Sequence, residues 1–98
     1  MQVLVIPVNA KAHDYANSTV AALKGAGVRA DIDLRDEKLG AKIRDAELLK
    51  VPYMLVVGPR DAEAGTVSVR RKGEGDLGAM LLPAFLERIT SEIRDKKH

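Results

Sequence analysis

Apolar residues fall into short runs along this 98-residue chain, and the runs alternate between the periods of strands and helices. Residues 3–8 are continuously apolar apart from one proline, a pattern typical of a strand covered on both faces. Over residues 11–26 the apolar positions recur at helical spacing, and Gly27 stands where a left-handed residue commonly ends a helix. Residues 28–34 alternate between apolar and polar, which predicts a second strand with one more exposed face.

The second half of the chain continues the alternation. Leu39, Ile43 and Ala46 lie on one side of a short predicted helix, and Pro52 prevents that helix from continuing. Residues 53–57 predict a buried strand that stops at the sequence GPRD, residues 66–70 predict its hairpin partner, and residues 76–81 predict a short edge strand. Proline at position 83 opens a last helix. Its predicted inward-facing residues are Phe85, Leu86, Ile89 and Ile93.

This order of elements restricts the fold. Strand, helix, strand, helix, strand requires two right-handed crossovers and therefore parallel pairing, while the hairpin that follows adds antiparallel strands. We therefore predict an α/β fold, a three-layer α/β/α sandwich with a mixed sheet. A chain of this length forms one domain, spanning residues 1–98.

Composition supports a folded intracellular domain. The residues are 46% hydrophobic and 31% charged, so the chain has enough apolar surface to fold. It lacks cysteine, which excludes a disulfide scaffold and a thiolate metal site. The N-terminus lacks a basic signal region, and its apolar run is too short for a membrane span. We therefore expect a cytoplasmic protein that does not enter a membrane. The net charge of +2 allows a local basic face.

One motif match does not fit its context. Residues 73–78, GEGDLG, satisfy the dinucleotide fingerprint G-x-G-x-x-G. That fingerprint joins a strand to a helix N-terminus and is followed by another strand with an acidic ribose ligand, whereas this chain ends about twenty residues later with a predicted helix. We interpret the segment as a connecting loop.

Other candidate chemistry is sparse. The two histidines, His13 and His98, show no metal-ligand spacing, and the serines have no patterned base. Most carboxylates stand beside lysine or arginine at helical spacing, where intrahelical ion pairing is the simpler interpretation. We expect no catalytic residues, no metal and no cofactor in this chain.

Three segments in register carry a family resemblance: DLRDEKLGAKIRDAELLKVPYMLVVG at residues 33–58, GTVSVR at residues 65–70 and GDLGAM at residues 75–80. Together they resemble the C-terminal anticodon-binding domain of class II aminoacyl-tRNA synthetases, the threonyl enzymes above all. The resemblance implies a five-stranded mixed sheet flanked by three helices. It also implies the anticodon stem-loop of a tRNA, specifically a threonine tRNA, as partner. A second partner is the catalytic domain of the synthetase, if the chain belongs to a longer protein.

The resemblance also implies where RNA binds. Arg35, Asp36, Lys38, Asp61 and Arg70 are the RNA-binding residues that we predict, with basic groups holding phosphates and the others reading base edges. Threonyl enzymes usually have asparagine at position 36 and glutamate at position 61, so both aspartates depart from the family pattern. A third departure is Ala41, where an aromatic residue is common. For Lys42 and Arg44, ion pairs with the nearby Asp45, Glu47 or Glu37 are an alternative to RNA contact.

Asp61 and Arg70 receive a more specific prediction. We place them near the ends of adjacent strands, where a carboxylate and a guanidinium converge on one exposed edge. Two other functions remain open: an accessory domain that binds protein and has lost tRNA readout, and a nucleotide-binding enzyme that would depend on GEGDLG alone. Whether the chain is an excised domain or a free-standing relative stays open too.

Overall fold

The computed structural model describes residues 2–35 and 37–95, and within them the chain forms one mixed sheet with helices on both faces. The strands are β1 (Gln2–Pro7), β2 (Arg29–Ile32), β3 (Tyr53–Val57), β4 (Thr66–Arg71) and β5 (Gly75–Leu81). The helices are α1 (His13–Gly25), α2 (Leu39–Leu48), α3 (Pro59–Ala64) and α4 (Leu82–Asp95), and a 3-10 turn (Ala10–Ala12) precedes α1.

The strand order is β2-β1-β3-β4-β5. β1 pairs in parallel with both β2 and β3, whereas β4 pairs antiparallel with β3 and β5. This topology confirms the predicted mixed sheet, with its parallel half built by crossovers and its antiparallel half by hairpins.

The larger core lies between the sheet and the helices α1 and α4. Side chains alternate across each strand, so Val5, Leu55 and Val69 face this layer and are fully buried. Phe85 and Ile89 of α4 are fully buried against them, while Leu86 and Ile93 are partly buried there. These four contacts confirm the predicted inward face of the last helix.

α2 packs on the opposite face of the sheet. Leu39, Ile43 and Ala46 of α2 pack with Ile6 of β1 and Met54 of β3 in a smaller core. α2 therefore covers the middle of this face and leaves two flanks, one over β4 and β5 and the other beside β2.

α3 corrects the sequence interpretation, which expected a loop and three helices. Pro59 occupies the first turn, where its fixed φ suits a helix and its missing N–H costs nothing. The Asp61 carboxylate accepts a hydrogen bond from the Gly58 N–H at 2.8 Å, and Gly65, at φ 70°, ends the helix in the left-handed region. None of the six helical residues is buried, so the helix has no apolar period to reveal it.

The glycine-rich segment forms a hairpin. Residues 72–74 turn between β4 and β5, and Gly73 and Gly75 have φ values of 85° and 79°. These glycines therefore join two antiparallel strands and supply left-handed backbone, not the strand-to-helix turn that holds a pyrophosphate.

Candidate functional site

The three parallel strands end together at one edge of the sheet, which we call the carboxyl edge and define by residues 7–9, 33–35 and 58. The chain leaves β1 toward β2 on one side and later returns to β3 on the other. Such a reversal of strand order is where open α/β sheets bind ligands. A cavity of about 410 Å³ lies here, with His13 and Lys42 among its lining residues.

Arg35 at this edge is held between two carboxylates. Its Nε and Nη2 donate to the two oxygens of Asp33 at 2.9 and 2.8 Å, and its Nη1 lies 2.9 Å from Oδ2 of Asp45. The hydrogen bond from Arg35 is the main reason that the pKa of Asp33 lies below its ordinary value. Two negative charges around one guanidinium offset its attraction for phosphate, so Arg35 orders the loop after β2 more than it adds positive potential.

Lys42 is buried, with 3% of its surface exposed. Its Nζ lies 3.5 Å from the carbonyl oxygen of Pro7 and 3.3 Å from that of Asp33. It therefore ties the ends of β1 and β2 together, and within the described part of the chain no ion pair joins it to Asp45, Glu47 or Glu37.

Lys38 has a different environment. It precedes α2 with extended backbone, at φ −65° and ψ 146°, and its side chain is exposed. Among the described residues no ion pair includes it. The first turn of α2 contains no acidic residue, so its partial positive charge adds to that of the lysine. Space is also open at Gly40, where an added Cβ meets no described atom within 4 Å outside its chain neighbours and the backbone of its own helix.

Asp61 lies in α3, and both of its carboxylate oxygens accept hydrogen bonds within the domain. Oδ2 accepts from the Gly58 N–H at 2.8 Å, and Oδ1 accepts from the Thr66 hydroxyl at 2.7 Å. Its negative charge also raises the pKa of Tyr15, although burial is the larger cause. A base edge at Asp61 would therefore share or replace these bonds.

Arg70 lies far from Asp61, so the predicted convergence of the two side chains is wrong. Arg70 is opposite Met54 at the beginning of β3, whereas Asp61 bonds to Thr66 at the beginning of β4. The reason is strand direction: β3 and β4 are antiparallel, so the end of one lies beside the start of the other. Arg70 lies four positions after Thr66 in the strand, which is a distance of about 13 Å.

Thr66 and Arg70 nevertheless face the same side of the sheet, because side chains two residues apart in a strand share a face. Ser68 lies between them and is half-buried, and its neighbour Ala79 on β5 is exposed. We call this flank, residues 66, 68, 70 and 79, the open face. Asp61 lies at one end of it and Arg70 at the other.

A cavity of about 260 Å³ lies at the Arg70 end of the open face. Its lining residues include Glu47 and the consecutive basic residues 70–72, although the Arg71 side chain makes its contacts on the other face of the sheet. Arg70 Nη2 lies 3.8 Å from Glu47, and its Nε is buried without a hydrogen-bond partner within the described structure. The site prediction missed Lys72 and this cavity, although the consecutive basic residues at positions 70–72 were the signal for them.

Arg71 points to the other face of the sheet. Its Nη1 lies 3.3 Å from Glu74 and 3.4 Å from Glu92, and its guanidinium lies 5.4 Å from the centre of the Tyr53 ring. The Tyr53 hydroxyl donates to Glu92 at 2.6 Å. These contacts link β3 and β4 to α4, so Arg71 is a structural residue.

The remaining predicted residue, Asp36, lies outside the described residues. Within residues 2–35 and 37–95, no group of three or more histidine, aspartate or glutamate side chains could hold a metal ion. In the same part of the chain, no helix has the length and apolar character to cross a membrane.

The sequence of the chain matches one protein family. A sequence model described as the anticodon binding domain matches residues 2–92, nearly the whole chain. The chain therefore belongs to the family of anticodon binding domains.

The relatives are threonine–tRNA ligases. The threonine–tRNA ligase of Syntrophomonas wolfei subsp. wolfei is 53% identical over 96 residues, which cover 98% of this chain and 15% of that protein. The enzyme of Aquifex aeolicus is 51% identical over an equal length. The crystal structure of the RNA binding domain of threonyl-tRNA synthetase from Cryptosporidium parvum Iowa II matches with a TM-score of 0.86 at 26% identity, covering 92% of this chain and 23% of that one. The chain thus spans about 15% of the length of the curated relatives.

Proposed function

We propose that the chain binds the anticodon stem-loop of a threonine tRNA as one domain of a threonine–tRNA ligase. The observation that carries the proposal is the identity of about half of the residues to threonine–tRNA ligases over nearly the whole chain. The whole ligase reaction belongs to the longer protein. This chain supplies recognition of the tRNA.

The open face is the path that we propose for the anticodon bases. It carries the polar side chains of Thr66, Ser68 and Arg70, meets α2 at Glu47, and extends for about 13 Å from Thr66 to Arg70. Stacked nucleotides rise by about 3.4 Å each, so this length suits three or four of them. Unpaired bases can present their edges to such a surface, which paired bases cannot.

The predicted residues have different roles, which depend on what surrounds each of them. Lys38 and Arg70 supply positive charge to phosphates, because neither is fully compensated among the described residues. Asp61 accepts from a base edge by giving up part of its bonding to Gly58 or Thr66. Arg35 presents the planar face of its clamped guanidinium to a base, and Asp36, the next residue in the sequence, reads a base edge.

We also propose that the chain alone does not catalyse aminoacylation, needs no cofactor and acts in the cytoplasm, where tRNA charging supplies the ribosome. Threonine-dependent exchange of pyrophosphate into ATP tests the first part. We expect no exchange with this chain alone, and measurable exchange would contradict the proposal.

Amide chemical shifts of the ¹⁵N-labelled chain test the binding path directly. On titration with a threonine-tRNA anticodon stem-loop, we expect shifts at residues 35–41, 61–68 and 70–73. Residues 29–32 on β2 serve as an internal control and should not shift. A stem-loop whose anticodon bases are replaced should shift residues 61–68 less.

Two results would contradict the proposal. Absence of any shift at low salt would favour the accessory-domain interpretation, in which the fold is kept without tRNA readout. Shifts confined to β2 would place the RNA on the flank of α2 beside β2 and not on the open face.

A further inference from the structure

The flank of α2 that faces β2 has the opposite character to the open face. A groove of about 590 Å³ lies here, and five of its lining residues are apolar: Leu4, Ile32, Leu34, Leu48 and Leu49. We call it the leucine groove. Leu48 and Leu49 are 74% and 76% exposed, and Leu34 is 45% exposed. Single exposed leucines are common, but three around one groove mark an interaction surface.

The end of α2 holds these leucines in place. Lys50 has φ 59°, in the left-handed region, and its N–H donates to the Glu47 carbonyl at 3.0 Å. The Val51 N–H donates to the Ala46 carbonyl at 3.1 Å. The side chains of Val51 and Ala46 are both buried. This is the hydrogen-bond pattern of a Schellman helix end. It turns Val51 inward and leaves Leu48 and Leu49 on an ordered surface, not on a fraying terminus.

The charges around the groove exclude RNA as its occupant. Asp31, Asp33 and Asp45 line it, and the one basic residue among the lining residues, Arg35, is already paired with Asp33 and Asp45. Phosphates would meet a surface of net negative charge. A protein surface with apolar side chains surrounded by lysine or arginine would complement it in both respects.

We propose that the leucine groove docks the domain onto another domain of the same synthetase polypeptide. The docking surface on that other domain is an apolar patch surrounded by lysine or arginine. This inference rests on the proposed function in one respect, that the chain belongs to a longer ligase; the curated relatives contain more than six times its length. α2 then separates two interfaces, with RNA on the open face and protein in the leucine groove.

Amide hydrogen exchange in the complete polypeptide encoded around this chain, compared with the 98-residue chain alone, tests the docking. Exchange of residues 29–34 and 45–51 should be slower in the complete polypeptide by roughly tenfold or more. Leu49→Glu should restore the faster exchange there. Leu81→Glu is the matched control, because Leu81 is a 56% exposed leucine on β5 at the other edge of the sheet, and it should change nothing at these residues.

Three outcomes would overturn the docking proposal: equal exchange in both proteins, a reading frame that encodes this domain alone, or dimerisation of the isolated chain that Leu49→Glu abolishes. The third would assign the groove to a second copy. Stem-loop binding by isolated Leu49→Glu separates this proposal from the proposed function. We expect it to equal that of the parent chain, and loss of RNA binding in Leu49→Glu alone would place RNA in the groove.

Discussion

Replacing Asp61 with alanine should destabilise the folded domain even in the absence of RNA. The substitution leaves the Gly58 N–H without its side-chain acceptor and the Thr66 hydroxyl without the carboxylate. Loss of the helix-capping bond is worth about 1 kcal/mol. Loss of a hydrogen bond to a charged group costs about 1.5 kcal/mol. The free energy of unfolding should therefore fall by about 2.5 kcal/mol.

Thermal unfolding measured by circular dichroism provides the assay. For a domain of this size, each kcal/mol shifts the melting temperature by about 4–8 °C, so Asp61→Ala should melt roughly 10–20 °C lower. Asp61→Asn keeps one acceptor oxygen and should lose about half as much. Glu63→Ala is the control, because Glu63 is exposed on the same short helix.

A melting temperature for Asp61→Ala equal to that of Glu63→Ala would refute the structural role of this carboxylate. The result also determines how RNA experiments are read. If Asp61→Ala is destabilised as expected, its effect on anticodon discrimination must be measured at a temperature where the variant is folded.

Three further predictions follow from the same geometry. Arg70→Ala should weaken stem-loop binding and lower the slope of log K against log salt by roughly 0.7, one phosphate contact, whereas Arg29→Ala on β2 should leave both unchanged in salt titrations. The pKa of Asp33 is lowered in the folded protein from its ordinary value of 3.8. Its contribution to stability is therefore present above pH 3.8 and is lost as pH falls through the lower, folded-state pKa. Urea midpoints of Asp33→Asn should therefore depend less on pH than those of the parent below about pH 4. Burial, followed by the bond to Glu92, raises the pKa of Tyr53 above 10.0, so its contribution is present below that pH and is lost as pH rises through the raised pKa. Tyr53→Phe should flatten this alkaline loss in urea melts, and an equally steep loss would contradict the assignment.

The sheet was predictable from sequence because its signals are local. Each strand carries its own apolar pattern, and the two crossovers leave few topologies. α3 was not predictable in the same way, since none of its six residues is buried and they carry no apolar period. Its only signals were Pro59 after glycine and an acidic residue two positions later, a capping pattern that also suits a turn.

The site was less predictable because its contacts cross between elements. Arg35 and Asp45 are ten residues apart, and only the return of α2 over the sheet brings them within 2.9 Å. The prediction that Asp61 and Arg70 converge was wrong because it placed the ends of two neighbouring strands together, although β3 and β4 are antiparallel. The burial of Lys42 had a usable signal, since it stands three residues after Leu39 on the apolar side of α2.

The most direct test of the central claim is calorimetric titration of the chain with two stem-loops, one with a threonine anticodon and one with those three bases replaced. We predict binding to the first that weakens as salt rises, and a loss in the second on the order of 1–3 kcal/mol for each base-edge contact removed. Equal affinity for both stem-loops would contradict anticodon readout by this chain, and no binding at low salt would contradict RNA binding altogether.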